Sequence, residues 1–216
     1  MEKVTVVILS NAICDLIGVT QEAIDSCKKT CDAEILVIEQ SDIRWEGCKT
    51  LTMKEEFNYN KFANLGISMC NSDYVVISNN DVIFTDGWLD ELLKYKFLHL
   101  VSPKDPNDKR QKDISSPSIG DKCGRNLSGW CFMISREHWI KIGGLDEEFP
   151  FWCADNSLID QSISVGVTPC LIPKSIVYHK GSMTLKKVDN KDEITLGQVK
   201  KYNTKYNKNL FKMGKE

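Results

Sequence analysis

Three apolar runs dominate the first half of the chain, and each ends in polar residues. They lie at Val4–Leu9, Glu34–Ile38 and Tyr74–Ser78. Short runs of this kind are typical of strands buried on both faces of a parallel sheet. Segments with helical character lie between or after them, at 20–30, 58–70 and 88–95. The alternation predicts an α/β fold with a doubly wound, Rossmann-like, mostly parallel sheet and helices on both faces.

The second half of the chain predicts fewer and less regular elements. We expect a strand over 130–135, a helix beginning near Arg136, a helix over 157–165 and a strand over 176–179. The segment 103–122 is rich in Pro, Asp, Ser and Lys and predicts a long surface loop. In the first half, Thr20 is the expected N-cap of its helix.

Length and composition favour one globular unit. A chain of 216 residues with 42% apolar residues and a net charge of -2 is not typical of disorder or coiled coil. We predict a domain over 1–185 and a basic helical extension over 186–216 packed on it. The extension has few apolar residues, so we expect loose packing. No apolar run is long enough to span a membrane, and the first apolar stretch favours a buried strand over a signal peptide.

The cysteines predict thiols rather than a metal cluster. No C-x-x-C spacing occurs, and the close pair Cys27 and Cys31 has no second pair to complete a zinc site. Reduced thiols are typical of the cytoplasm, which is the localisation we expect. The nine cysteines are Cys14, Cys27, Cys31, Cys48, Cys70, Cys123, Cys131, Cys153 and Cys170.

Charge is unevenly distributed. From Lys174 onward there are eleven lysines and four acids, whereas the first 173 residues carry 17 bases and 26 acids. This pattern is compatible with a surface that binds a polyanion and equally with a solvated, lysine-rich helix.

Polar clusters follow two of the predicted strands, at 39–42 and 79–81. Ligands of doubly wound sheets bind at the carboxyl ends of strands, so these clusters predict a nucleotide pocket. Asn79, Asn80 and Asp81 offer oxygen ligands for a divalent cation shared with a diphosphate. The same triplet is also a common turn sequence.

The segment Ile77–Leu93 resembles the metal-motif segment of inverting glycosyltransferases of family two. There, an apolar strand leads into a D-x-D-like triplet, a second apolar strand and Gly-Trp-Leu. Further matching segments occur in the same order over about residues 3–184. They are Val4–Asn11, Glu34–Asp42, NKFANLGI at 60–67, Ser128–Ile134, Ile142–Phe149, Trp152–Leu158 and Val177–Ser182.

The resemblance implies a GT-A fold and a set of functional residues. Asp155 corresponds to the general base, and Asp81 with His179 corresponds to the ligands of Mn²⁺ or Mg²⁺. Residues implied near the nucleotide-sugar donor are Ser10, Glu39, Lys61, Asn64, Asn79 and Asn80; those near the acceptor are Trp130, Asp146 and Trp152. The chain departs from the family pattern where Asp81 is the one acid of the triplet and where Ala154, Ser157 and Gln161 replace charged residues.

Several of these residues have structural alternatives. His179 is equally typical of a packed or surface histidine, Asp155 of a helix N-cap, and the two tryptophans of core packing. Asp146 is also typical of a turn cap.

Alternative functions remain at this point. The reduced acidic motifs are compatible with a catalytically impaired sugar-nucleotide-binding or scaffold protein. A nucleotidyltransferase normally has a glycine- and arginine-rich loop where this chain has Ser10–Cys14, and a dehydrogenase would need G-x-G-x-x-G after the first strand.

The acceptor is the least determined substrate. The basic tail, with Lys200, Lys201, Lys205, Lys208 and Lys212, suggests a polyanion such as hydroxymethylated DNA. The base would have to be flipped out of the duplex, and the loop 103–122, with Lys104, Lys109, Arg110 and Lys112, would grip the backbone. Glycans, proteins and lipid head groups are the alternative acceptors.

Overall fold

A computed structural model describes residues 3–12, 17–181 and 191–210. Within these ranges the strands are β1 (Val4–Ser10), β2 (Glu34–Glu39), β3 (Lys49–Thr52), β4 (Tyr74–Asn79), β5 (Val82–Phe84), β6 (Leu100–Lys104), β7 (Ser118–Ile119), β8 (Cys131–Ser135) and β9 (Cys170–His179). The helices are α1 (Ile17–Thr30), α2 (Tyr59–Met69), α3 (Trp88–Leu93), α4 (Arg136–Lys141), α5 (Ala154–Ser164) and α6 (Lys191–Tyr206).

The described strands form one sheet in the order β3-β2-β1-β4-β8-β6-β9-β5, with β7 paired to β9. The pairs β2–β3, β1–β2, β1–β4 and β6–β9 are parallel. Strand β8 is antiparallel to both of its neighbours, β4 and β6, so β6 and β9 run in the same direction as β1. The predicted α/β class with a mostly parallel sheet is therefore confirmed, with antiparallel β8 inserted between its two parallel groups.

Alternate residues of each central strand point to opposite faces of the sheet. Val6 and Ile8 of β1 pack in a core that includes Ala23, Ile24 and Cys27 of α1. Val7 and Leu9 pack in the core that includes Phe62, Ala63 and Ile67 of α2. Both faces are covered, which explains why β1 is apolar at consecutive positions.

Helix α2 lies unusually close to β1. A Cβ atom added at Gly66 would lie 2.4 Å from Val7 Cγ1, so only glycine permits this approach. The close packing places the carboxyl end of β1 beside the start of α2.

The structure corrects several predicted boundaries. Thr20 is not an N-cap: it lies within α1 and is fully buried, with its hydroxyl 3.2 Å from Ser10 Oγ. Helix α5 begins before residue 157, and its N-cap is Cys153 rather than Asp155, which occupies the first turn. Thr20 was misassigned because its hydroxyl bonds to a neighbouring strand rather than to its own helix end.

The C-terminal helix packs more firmly than its composition predicts. Val199 and Tyr202 of α6 are buried in a small core with Phe149 and Cys153. Lys201 pairs with Glu148 at 2.9 Å, Lys205 with Asp146 at 2.7 Å and Lys208 with Asp160 at 2.8 Å. The expectation of loose packing was wrong because these ion pairs and aromatic contacts supplement the few apolar residues.

Some predictions fall outside the described residues. These include Cys14, Ser182, Lys212 and the predicted boundary at 185–186. The eight cysteines that are described are free thiols. None of the helices in the described ranges has the length and apolar character that crossing a bilayer requires.

Candidate functional site

A cavity of about 530 Å³ opens at the carboxyl ends of β1 and β4. The loop before β8, the start of α5 and one side of α6 complete its wall. Seven of the residues predicted from sequence line this cavity: Asn79, Asn80, Asp81, Trp130, Trp152, Asp155 and His179. The fold therefore brings the predicted metal ligands, the predicted base and two predicted acceptor residues to one place.

Asp81 and His179 form one side of the cavity. They come together because β5, which follows Asp81 directly, pairs with the end of β9, and Val82 lies opposite His179. Asp81 Oδ1 is 3.2 Å from His179 Nε2, and the Asp81 carboxylate is almost fully buried. Trp130 stacks on the imidazole with ring centroids 5.0 Å apart and an interplanar angle of 10°. The pairing of β5 with β9 and the stacked Trp130 ring therefore both hold the Asp81–His179 pair in place.

The chemistry of these two side chains fits a divalent cation. A carboxylate oxygen and an imidazole nitrogen at hydrogen-bond distance can turn to a shared ion, and this donor set suits manganese. In the described part of the chain no group of three or more His, Cys, Asp or Glu side chains is arranged to hold a metal. A cation bound by Asp81 and His179 would therefore need ligands from a substrate, as is common where diphosphates bind.

The two asparagines before Asp81 are fixed by hydrogen bonds. Asn79 donates its backbone N–H to Trp130 O at 2.8 Å. Asn80 is buried and donates from Nδ2 to Thr20 Oγ1 at 2.8 Å and to Ser10 Oγ at 3.4 Å. Ser10 is fully buried and does not line the cavity, so its link to the cavity wall is its bond to Asn80.

Asp155 also lines the cavity and lies in the first turn of α5. Its Oδ1 accepts from Asn156 N–H at 2.9 Å, and its Oδ2 accepts from the Cys123 thiol at 2.8 Å. Gly129 lies against it: a Cβ atom added there would be 2.6 Å from both Cβ and Oδ2 of Asp155. Gly129 and Trp130 are adjacent, so one short segment contacts both Asp155 and the His179 ring.

Aromatic and aliphatic side chains form the remaining wall. Phe151 and Trp152 line the cavity together with Val199 of α6 and Leu210 after it. Gln198 Oε1 accepts from the backbone N–H groups of Phe151 at 3.3 Å and Trp152 at 2.8 Å. Helix α6 therefore positions the loop that carries Trp152.

Five predicted site residues do not line this cavity, and Ser10, described above, is one of them. Both Glu39 oxygens are engaged, Oε1 by Ala12 N–H and Ser41 N–H and Oε2 by Trp45 Nε1. Lys61 pairs with Glu55 at the surface. The roles predicted for these residues in binding the donor stay predictions.

Asn64 and Asp146 lie at a second, open cleft of about 380 Å³. Asn64 donates to Leu145 O and accepts from Trp139 Nε1 and Leu145 N–H, which ties α2 to the 143–147 turn. Asp146 accepts from Tyr206 OH at 2.8 Å and pairs with Lys205 of α6. Their predicted contacts with donor and acceptor likewise stay predictions.

Two cavity residues carry no local sequence signal of such a role. Cys123 reaches Asp155 across 32 positions of sequence. Arg110, expected to grip DNA, lines the cavity instead and is paired with Asp108, with Nη2 to Oδ2 at 2.7 Å. Both lie in the segment between β6 and β8, which Gln111 anchors by donating to Gly124 O and Ser128 Oγ. Only the folded loop shows that they face the predicted base.

Comparisons with solved structures identify the fold. No protein-family model and no curated protein sequence matches the chain. One similar structure is GalNAc-T7 with UDP, GalNAc and Mn²⁺, at TM-score 0.67 and 15% identity over 83% of this chain and 44% of that one. Another is the mannosyltransferase PcManGT from Pyrobaculum calidifontis with GDP-Man and Mn²⁺, at TM-score 0.61 and 14% identity over 86% of this chain and 60% of that one.

The chain spans less than two thirds of either neighbour, and identity at this level carries the fold alone. The predicted architecture is confirmed at that level: the chain has the GT-A fold.

Proposed function

We propose that this protein is a metal-dependent glycosyltransferase that moves a sugar from a nucleotide-sugar donor to an acceptor hydroxyl, with inversion at the anomeric carbon. The observation that carries the proposal is that Asp81, His179 and Asp155 all line the same cavity, with Asp81 and His179 paired. Two structural neighbours that are glycosyltransferases, each in complex with a nucleotide or nucleotide sugar and Mn²⁺, support the donor and metal parts of the proposal.

Asp81 and His179 are the residues that would hold Mn²⁺ or Mg²⁺, and the imidazole favours manganese. The ion, when bound, supplies positive charge that stabilises the diphosphate leaving group. Asn80, hydrogen-bonded to Thr20 and Ser10, fixes the end of β4 and thereby the backbone that carries Asp81.

Asp155 is proposed as the base that removes the proton from the acceptor hydroxyl. Its carboxylate is held on both oxygens by Asn156 and Cys123, and each oxygen retains further acceptor capacity for the acceptor hydroxyl. Base catalysis of this type contributes roughly 10²–10⁴-fold to a rate. Inversion follows from a single displacement, and the anomeric configuration of the product would test it.

Trp152 and Trp130 are proposed acceptor contacts, because both line the cavity and tryptophan rings pack well against sugars. Ser10, Glu39, Lys61 and Asn64 are retained as proposed donor-side residues from the resemblance. The support for Ser10 is its bond to Asn80.

A polyanionic acceptor such as hydroxymethylated DNA remains a proposal with reduced support. Lys201, Lys205 and Lys208 of the basic tail pair with acids of the domain, which leaves less positive charge for phosphates. Sugar transfer to hydroxymethylated DNA, measured across a salt series, tests it. Transfer that falls as salt rises would support this acceptor, and absence of transfer at low salt would remove it.

The decisive experiment for the proposed function is a thermal-stability screen of nucleotide sugars with and without Mn²⁺. A true donor at about 100 times its Kd should stabilise the fold by about 2.7 kcal/mol. Asp81→Asn should abolish the Mn²⁺-dependent part, whereas the control Asp86→Asn should preserve it. Asp86 is suited to this control because it is exposed and lies outside the cavity lining.

Two outcomes would contradict the proposal. Stabilisation that is equal with a chelator present and in the Asp81→Asn variant would remove the metal site. Donor binding without transfer or hydrolysis would favour the second interpretation of the chain, a sugar-nucleotide-binding protein with impaired catalysis.

A further inference from the structure

We propose that Cys123 is a positioning residue of the transfer reaction: its thiol donates a hydrogen bond to Asp155 and fixes the carboxylate towards the cavity. The inference rests on the proposed function, since it assigns a task in that reaction. Both side chains line the cavity, and Cys123 Sγ lies 2.8 Å from Asp155 Oδ2.

Two contacts besides the Cys123 thiol restrict the Asp155 carboxylate. Asn156 N–H bonds Oδ1 at 2.9 Å, which fixes one oxygen from the backbone of α5. Gly129 closes the space beside Cβ and Oδ2, because a single added carbon at that position would overlap both atoms. The thiol completes the arrangement by fixing the second oxygen.

A rigid loop presents the thiol. Gly124 N–H donates to Leu127 O at 2.8 Å, and Asn126 N–H donates to Lys122 O at 2.8 Å. The Asn126 side chain is buried and donates to Ser118 Oγ at 2.9 Å. Gln111, fully buried, donates to Gly124 O at 2.7 Å. These bonds determine where Cys123 points, and that direction is towards Asp155.

The Cys123 thiol is protonated, which is the form that can donate a hydrogen bond. Burial raises the pKa of Cys123 well above its usual range, and the negative charge of Asp155 and the neighbouring Cys153 act in the same direction. The Arg110 guanidinium opposes this, but it is paired with Asp108. At neutral pH Cys123 is therefore a protonated donor rather than a nucleophile.

Two substitutions separate positioning from packing. Cys123→Ser retains an O–H donor of similar size, whereas Cys123→Ala removes it. We expect the alanine variant to lose roughly tenfold in kcat, since the thiol is a weak donor but its acceptor is charged. KM for the donor should be unchanged, and the serine variant should recover most of kcat.

A second experiment needs no substrate. Alkylation of each cysteine by iodoacetamide is followed by mass spectrometry in the unmodified chain and in Asp155→Asn. Loss of the carboxylate should lower the pKa of Cys123 and raise its alkylation rate, by about tenfold for each unit of pKa. Cys48, which lies outside the cavity lining, is the internal control and should react at the same rate in both proteins.

The outcomes distinguish this inference from the proposed function. Equal kcat for both Cys123 variants and the unmodified chain would overturn the positioning role and leave the glycosyltransferase proposal intact. An alkylation rate of Cys123 that is the same in the unmodified chain and in Asp155→Asn would also overturn the positioning role. Absence of transfer by the unmodified chain would overturn the proposed function, and with it any catalytic role for the contact. A melting temperature for each variant shows whether a lost rate is only lost folding.

Discussion

Gly129→Ala is the sharpest single test of Asp155 as the base. The added methyl carbon would lie 2.6 Å from Asp155 Cβ and Oδ2, whereas ordinary contact begins at 3.4 Å. Asp155 must therefore move by about 0.8 Å. Because the clash includes Cβ, rotation of the carboxylate alone does not relieve it, and the first turn of α5 must move as well. A displacement of about 1 Å in a catalytic group costs on the order of 10²-fold in rate.

The assay compares kcat for sugar transfer, KM for the donor and the melting temperature in three proteins. Gly129→Ala should lose about 10²-fold in kcat, approach the loss seen in Asp155→Asn and bind the donor normally. Gly18→Ala is the matched control, because a Cβ atom there meets nothing within 4 Å and alanine is favoured in α1. Full kcat in Gly129→Ala would refute the placement of the base, since the three atoms nearest to the added carbon all belong to Asp155.

Two further predictions concern stability. Phe149→Ala should lower the free energy of unfolding by about 3–5 kcal/mol, because the fully buried Phe149 ring packs against Tyr202 of α6. The control Phe97→Ala, at a position that is 66% exposed, should lower it little. Equal urea midpoints for the two variants would contradict the role of Phe149. Burial, the largest cause, lowers the pKa of His138 from 6.5 to about 4, so the unfolded chain takes up a proton that the folded chain does not. The contribution of His138 to the free energy of unfolding should therefore be fully present above pH 6.5 and fall by about 3 kcal/mol towards pH 4. Denaturant unfolding over a pH series should show a smaller loss of stability at low pH in His138→Gln.

The sequence predicts the central strands well because each is apolar at consecutive positions and ends in polar residues. β1, β2 and β4 are of this type. The sequence does not predict β3 and β6, for a different reason in each case. β3, KTLT, lies at a sheet edge and is not buried, and β6, LVSPK, carries a proline and ends in lysine although most of it is buried.

The site residues, too, differ in whether a local sequence pattern predicts them. Asp81, Asp155 and His179 were identified because each belongs to a local motif, and the fold then places them around one cavity. The contact of Cys123 with Asp155 joins a loop to a helix start, and no local pattern encodes such a distance. Glu39, at the end of β2, keeps its predicted donor-side role as a prediction, and the three protein donors that bond it could not be read from the sequence.

The cavity wall has two independent supports. Asn79, Asp81 and His179 belong to the sheet and its ends, whereas Val199 and, through Gln198, the Trp152 loop depend on α6. Substitutions along α6 can therefore reshape the entrance beside Trp152 without disturbing the strands that position Asp81 and His179. In this architecture the shape of the cavity beside Trp152 and the placement of the Asp81–His179 pair are separately adjustable properties.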